Sequence, residues 1–172
     1  MRLTIHQKAG YLRDAVFSAN DGVITTFAVI AGSAGASLGP SVVLILGFAN
    51  LFADGFSMAA GNYLGVKSEM EFEEAKGEDG KKEGSPLKQG VVSFVAFNVA
   101  GFIPVIPFLF KLDGAFQVSI IFVGLSFLAI GFLKSIYTRK NIFISGAEVF
   151  LVGSLAAFIA FAIGFLIDRF VV

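Results

Sequence analysis

The sequence predicts an all-α integral membrane protein, a dimeric bundle with five transmembrane helices per chain and a cytoplasmic N-terminus. Three observations lead to this fold class. The 172 residues are 56% hydrophobic and 15% charged, with a mean hydropathy of +0.82, whereas soluble domains are about 25% charged. Five separate stretches are long and apolar enough to cross a bilayer, and the basic residues collect on one side of them.

Composition also excludes several classes of function. No water-soluble core could bury this much apolar surface, so a soluble enzyme or a nucleic-acid-binding protein is excluded. The chain has no Cys and one His, His6, which removes disulfides, thiolate sites, His-rich zinc sites and a Ser-His-Asp triad. The sequence has no HExxH motif. We therefore expect no enzymatic activity, no resident cofactor and no nucleic-acid partner.

A single transmembrane domain, residues 1–172, is expected to contain all five spans. A helix needs about 20 mostly apolar residues to cross about 30 Å of hydrocarbon, and the runs show little of the alternation that barrel strands require. The predicted spans are 14–38, 41–66, 90–110, 115–134 and 142–167. The first run is too long for a signal peptide and lacks a convincing cleavage site. Pro104 and Pro107 should bend the third span near its outer end.

The distribution of Lys and Arg predicts the topology. Cytoplasmic loops carry an excess of basic residues, and one side of the predicted bundle collects 11 of the 13 in this chain. These 11 are Arg2, Lys8, Arg13, Lys67, Lys76, Lys81, Lys82, Lys88, Lys134, Arg139 and Lys140. Only Lys111 and Arg169 lie on the other side. The N-terminus is therefore predicted to be cytoplasmic and the C-terminus to lie opposite.

The segment 67–89 is the one long hydrophilic stretch between spans. Its first half lacks Gly and Pro, so the second helix should continue into the cytoplasm to about Lys76, before Gly77, Gly80, Gly84 and Pro86 turn the chain back. Mixed acids and lysines are typical of a solvated linker. The alternative is a weak cation-attracting role for three of its acids, Glu69, Glu73 and Glu74.

Polar residues inside the spans indicate function, because placing an ionised side chain near the bilayer centre costs at least about 2.5–3.5 kcal/mol. Asp14 and Asp21 are seven residues apart, so both should face one side of the first helix. The second span carries four residues at four-residue spacing, which forms one stripe on a helix face. They are Asn50, Asp54, Met58 and Asn62. Asp21 and Met58 fall about 10 and 12 Å from the cytoplasmic boundary, at one level.

Each of these polar groups also has an ordinary structural interpretation. Asn62 and Asn98 are typical of hydrogen bonds between helices, and Glu148, at a similar depth, either pairs with a loop cation, caps a helix or faces the polar layer. Met58 alone would be a core residue. Asp21 and Asp54, in contrast, have no basic residue in any predicted span to pair with, which indicates a cation or a proton.

The types of side chain indicate which cation to expect. Carboxylates with a thioether fit a borderline divalent ion such as ferrous iron or manganese. Two rows of small residues predict close helix packing within or between chains. The rows are Ala28, Gly32 and Ala36 in the first span, and Gly153, Ala156, Ala157, Ala160 and Gly164 in the fifth. A five-helix bundle is too narrow to line an aqueous path by itself, so we expect a homodimer.

Long blocks of the sequence resemble the vacuolar iron transporter family. They are NDGVITTFAVIAGSAGA and LGFANLFADGFSMAAGNYLGVKSE in the first two spans, SFVAFNVAGFIPVIPF in the third, and GFLKSIYTRKNIFISGAEVFLVGSLAAFIAFAIGFLI in the last two. The resemblance covers nearly the whole chain, from about Arg13 to Ile167. It implies a five-helix homodimer that exports ferrous iron, and often manganese, from the cytosol in exchange for protons, along a path at the dimer interface.

The resemblance also implies roles for particular residues. Asp21 and Met58 match the membrane-embedded metal position, and Asp14, Asn50 and Asp54 match positions that line its entrance. Asn50 stands where relatives of this kind carry an acid, and Asp54 where some carry a neutral residue or Met. Members of that family carry a cytoplasmic metal-binding domain between the second and third helices, where this chain has only the short segment 67–89. We therefore expect weaker capture of cytosolic metal and broader selectivity.

A passive divalent-cation channel, or a metal-binding membrane scaffold without proton coupling, is the alternative function. Burial and repulsion between carboxylates favour the neutral acid in an empty site, so protons and metal should compete for the same oxygens. We expect a multi-pass protein of the cell membrane rather than of an organelle membrane.

Overall fold

A computed structural model describes residues 3–78 and 84–170, and within them the chain is helical. Six α-helices and one 3₁₀ turn follow each other along the chain. They are α1 Ile5–Gly35, α2 Pro40–Ala75, α3 Pro86–Phe102, the 3₁₀ turn Ile103–Val105, α4 Ile106–Leu109, α5 Ala115–Thr138 and α6 Ile142–Phe170. With α3 through α4 taken as one span, five helical segments are long and apolar enough to cross a membrane. The predicted fold class, an all-helical multi-pass membrane protein, is confirmed.

The first helix lies at the centre of the bundle and contacts α2, α3, α5 and α6. It begins nine residues before the predicted start of the first span because Thr4 and Gln7 form a capping box. Thr4 Oγ1 accepts from Gln7 N, and Gln7 Oε1 accepts from Thr4 N, each at 3.2 Å. As a result Arg13, placed outside the membrane by the sequence, lies on the same helix as Asp14 and Asp21.

The second helix continues beyond its apolar run, as predicted. It ends at Ala75, with Lys76 as its C-cap and Gly77 at a φ of +80°. The third helix starts at Pro86, where Ser85 Oγ accepts from Lys88 N. Gly80 lies outside the described residues. The segment 67–89 is therefore helical at both ends. The helix α2 extends nine residues past the predicted span end at 66, and α3 begins four residues before the predicted span start at 90.

Pro104 and Pro107 interrupt the third span, as expected. Neither proline has an N–H to bond the carbonyl four residues before it, at Ala100 and Ile103 respectively. Each carbonyl instead accepts a hydrogen bond from the residue three positions later: Ile103 N donates to Ala100 O, and Ile106 N donates to Ile103 O. The tighter hydrogen bonds produce the 3₁₀ turn, and Ser119 Oγ of α5 donates to Pro104 O at 2.8 Å.

Small residues bring the helices together at three crossings. A Cβ on Gly164 of α6 would lie 2.5 Å from Gly32 O of α1, so the predicted small-residue rows do meet in the structure. A Cβ on Gly101 of α3 would lie 2.7 Å from Gly22 O, and one on Gly131 of α5 would lie 2.5 Å from the Cα of Gly146. These contacts fix how α3, α5 and α6 sit around the rest of the bundle.

Candidate metal site between α1 and α2

Hydrogen bonds at its two ends hold the polar stripe of α2 in place. Asn50 Nδ2 donates to the hydroxyls of Thr25 and Thr26 on α1, each at 3.4 Å. Asn62 Nδ2 donates to Ser93 Oγ of α3 at 2.7 Å and to Gln89 O at 3.3 Å. The prediction that Asn62 bonds between helices is confirmed. Because both ends of the stripe are anchored, the rotation of α2 about its axis is fixed.

Asn98 packs differently from the prediction. Its Nδ2 donates to Phe94 O of its own helix at 2.9 Å, so this bond does not join two helices. The amide rests against Gly55 of α2, where an added Cβ would collide with it. Because Gly55 has no side chain, α3 can approach α2 closely beside Asp54.

Between the two anchors, Asp54 and Met58 face a cavity of about 460 Å³. Residues from three helices line it: Arg13, Asp14, Phe17, Asp54, Ser57, Met58, Gly61, Asn62 and Ser93. The structure thus brings together three of the predicted metal residues at one cavity, the carboxylates of Asp14 and Asp54 and the thioether of Met58. Ser57 and Gly61 are exposed in the single chain, so the cavity opens on the outer face of α1 and α2.

Asp14 is buried at the edge of this cavity and is paired. Its Oδ1 accepts from Arg13 Nε at 3.0 Å, with 4% of the Asp14 side chain exposed and 61% of that of Arg13. Its Oδ2 is buried and has no hydrogen-bond partner among the described residues. A cation bound at Asp14 would therefore compete with the guanidinium. Sequence reasoning missed Arg13 because it placed this residue in water.

Asp21 lies two turns along α1 from Asp14, which is about 10 Å. It is half-buried and is not among the residues that line the cavity. Its carboxylate nevertheless lies close enough to Asp54 for the two charges to interact. Asp21 on α1 and Asp54 on α2 are therefore within electrostatic reach of each other.

Glu148 lies elsewhere. Its Oε2 accepts from Lys134 Nζ at 2.9 Å, between α6 and α5, and it lines a second cavity of about 500 Å³ on the other side of α1. Arg13 and Phe17 line both cavities and stand between them. The structure does not bring Glu148 together with Asp54 and Met58. Its contact with Lys134 fits the pairing with a cation, which was one of the roles that the sequence left open.

Few acidic side chains converge at the cavity in the part of the chain that the structure describes. Within residues 3–78 and 84–170, no three His, Asp or Glu side chains converge as metal ligands. Divalent ions such as manganese prefer six ligands in octahedral geometry. Asp21, Asp54 and Met58 of one chain would supply three ligands if each bound through one atom.

Comparison with known proteins adds to this geometry. A sequence profile described as the VIT family matches residues 12–83 and 76–165. The chain belongs to the VIT family. A relative from Arabidopsis thaliana named vacuolar iron transporter homolog 1 is 31% identical over 166 residues, which cover 91% of this chain and 83% of the relative. A rice protein named vacuolar iron transporter homolog 5 is 29% identical, covering 94% and 82% respectively.

A vacuolar iron transporter of Toxoplasma gondii is more similar over a shorter stretch. It is 44% identical over 66 residues, which cover 38% of this chain and 22% of the relative. The names of all three relatives refer to a vacuole. They give no support to the cell membrane expected from sequence.

Proposed function

We propose that this VIT-family protein transports a divalent metal ion, ferrous iron or manganese, out of the cytosol in exchange for protons. The observation that carries the proposal is the placement of Asp54 and Met58 on one cavity between α1 and α2, with Asp21 within electrostatic reach of Asp54. Carboxylate and thioether ligands suit a borderline divalent ion better than magnesium or calcium. The names of the relatives support iron as the cargo.

The proposed path runs between two copies of the chain. The cavity opens on the outer face of α1 and α2, and in a lone chain its acids would face hydrocarbon, at a cost of several kcal/mol. A second copy packed on this face would cover the cavity. It would also bring a second Asp21, Asp54 and Met58, which doubles the three ligands of one chain to six.

Exchange with protons follows from the same pair of acids. When the metal leaves, neighbouring carboxylates in a low-dielectric space are costly as two anions. A proton that binds there removes one charge, and the returning metal displaces it. Metal and proton would then alternate at one site, so no separate proton path is required.

A flux assay in reconstituted vesicles tests the proposal. Uptake of iron, manganese, cobalt and zinc would be measured with and without a pH gradient. We expect iron or manganese flux that follows the gradient and moves protons the opposite way. Flux that is indifferent to the gradient would favour the passive channel, and no flux with retained metal binding would favour the scaffold.

Asp54→Asn should reduce this flux at least tenfold, because it removes a charged ligand of the ion. Asp168→Asn is the matched control, since Asp168 is a half-buried acid near the end of α6, away from the cavity. Equal flux in the two variants would contradict a role for Asp54.

A further inference from the structure

A third concave surface, distinct from the cavity lined by Glu148, lies on the opposite side of α1 from the α1–α2 cavity. This α3–α5 groove has a volume of about 680 Å³, with walls formed by α3 and α5 and a floor formed by α1. Small side chains make it concave, with Ala15 and Ala19 on the floor and Ala96 on one wall. The groove is therefore a built recess in the membrane-facing surface rather than a flat helix face.

The groove is as long as one leaflet of a bilayer. Along α3 it extends from Val91 to Ile103, twelve residues or about 18 Å. Half of a hydrocarbon core measures about 15 Å. A helix of 10 Å diameter and this length would fill about 1,400 Å³, twice the volume available, whereas a single extended acyl chain is slimmer.

The lining is apolar except at one end. Ser126 lies inside the groove, and its hydroxyl donates a hydrogen bond to Phe122 O of its own helix at 2.7 Å. Its hydroxyl proton is therefore not free to bond a ligand in the groove. At the end nearest the start of α1, the lining includes Lys134 and Tyr137. The Lys134 ammonium lies 2.9 Å from Glu148 Oε2, and Arg139 and Lys140 follow in the chain.

We propose that the α3–α5 groove binds an anionic phospholipid of the cytoplasmic leaflet, with one acyl chain in the groove and its phosphate at Lys134. Charge complementarity supports this occupant. The basic end is the end that the Lys and Arg distribution assigns to the cytoplasm, where anionic lipids lie at the surface. The inference does not depend on which ion the protein transports.

Fluorescence quenching tests the proposal, because the native chain contains no Trp. Val99→Trp places one reporter in the groove, about 12 Å from Val91. Leu155→Trp on α6 places the matched control outside it. The two positions are similarly exposed, 66% for Val99 and 62% for Leu155. Each variant of the full chain would be reconstituted in phosphatidylcholine vesicles with increasing brominated phosphatidylglycerol.

We expect phosphatidylglycerol to be preferred about fivefold over phosphatidylcholine at the Val99→Trp reporter, the effect of one basic residue near a membrane surface. The Leu155→Trp reporter should show no preference. Adding Lys134→Gln should abolish the preference at Val99→Trp. Adding Glu148→Gln should keep it, because this change breaks the same ion pair but leaves the cation.

Equal preference at the two reporters would overturn the proposal, as would a preference that survives Lys134→Gln. Loss of the preference in Glu148→Gln would also overturn it, because the ion pair and not the cation would then be responsible. If Val99→Trp does not insert, Val95→Trp serves as the reporter, since Val95 also lines the groove and is 51% exposed.

Discussion

The side-chain amide of Asn62 donates a 2.7 Å hydrogen bond to Ser93 Oγ, and this contact ties α2 to α3 one helical turn from Met58. A second bond, to Gln89 O at 3.3 Å, uses the same amide nitrogen. Both lie at the edge of the α1–α2 cavity. The position of Met58 in the cavity therefore depends on a polar contact between helices that binds no ion itself.

We predict that Asn62→Ala lowers the free energy of unfolding by about 0.6–1.7 kcal/mol, the range for hydrogen bonds between transmembrane helices. Asn98→Ala is the matched control, because the Asn98 amide bonds Phe94 O within α3. Asn98→Ala should lower the free energy of unfolding by less than Asn62→Ala does. Thermal unfolding of both variants in one detergent gives the comparison, and a larger loss in Asn98→Ala would contradict the assignment.

The sequence was sufficient for the fold and for most of the α2 stripe. Length and hydropathy locate helices that must cross a bilayer, and four-residue spacing places Asp54 and Met58 on one face whatever surrounds them. The Thr4–Gln7 capping box is itself a readable pattern that would have predicted the early start of α1.

Other features depend on how the helices pack. Glu148 and Met58 lie at similar depth, but α1 stands between them, and its position is set by backbone contacts such as that of Gly101 with Gly22. Spacing along a sequence gives depth in the membrane and relative direction on one helix. It does not give the direction that each helix faces in the bundle, so the ion pair of Glu148 with Lys134 was one of several possibilities.

Arg13 should limit the metal affinity of the cavity, because its guanidinium holds Asp14 Oδ1 at 3.0 Å. We predict that Arg13→Gln raises the affinity for manganese severalfold at low salt and less at high salt, since salt screens an exposed charge. Lys8→Gln removes a charge from the same end of α1 without touching the cavity and should change little. Titration of the purified protein with manganese measures both, and equal effects would show that only net charge matters.

Asp21→Ala should abolish metal transport and leave the protein folded. The substitution removes a carboxylate from the pair with Asp54, and it also removes the cost of keeping a charged group in the membrane. We expect the thermal stability to be unchanged or higher, and the flux to fall to the level of empty vesicles. Flux and unfolding should be measured on one preparation, and flux at the wild-type level would remove Asp21 from the path.

Cross-linking can locate the interface between two copies, because the native chain has no Cys. Phe17→Cys and Gly61→Cys each place one thiol on the lining of the α1–α2 cavity. We predict efficient disulfide-linked dimers from both in membranes. Leu151→Cys, on an exposed face of α6, is the control and should cross-link poorly. Efficient cross-links only at Leu151→Cys would place the interface on α6 and contradict the proposed path.

Competition between metal and protons should make metal affinity depend on pH. Protons and the ion compete for the same carboxylate oxygens in a shared site, so manganese affinity should fall as the pH drops from about 8 to 5.5. Asp54→Asn removes one of the competing acids next to Asp21. It should therefore flatten the pH dependence more than it weakens binding at high pH, where few protons compete. Asp168→Asn, away from the cavity, should keep the wild-type slope. Affinity that stays constant over this range in the wild-type protein would exclude a shared site and favour a passive channel.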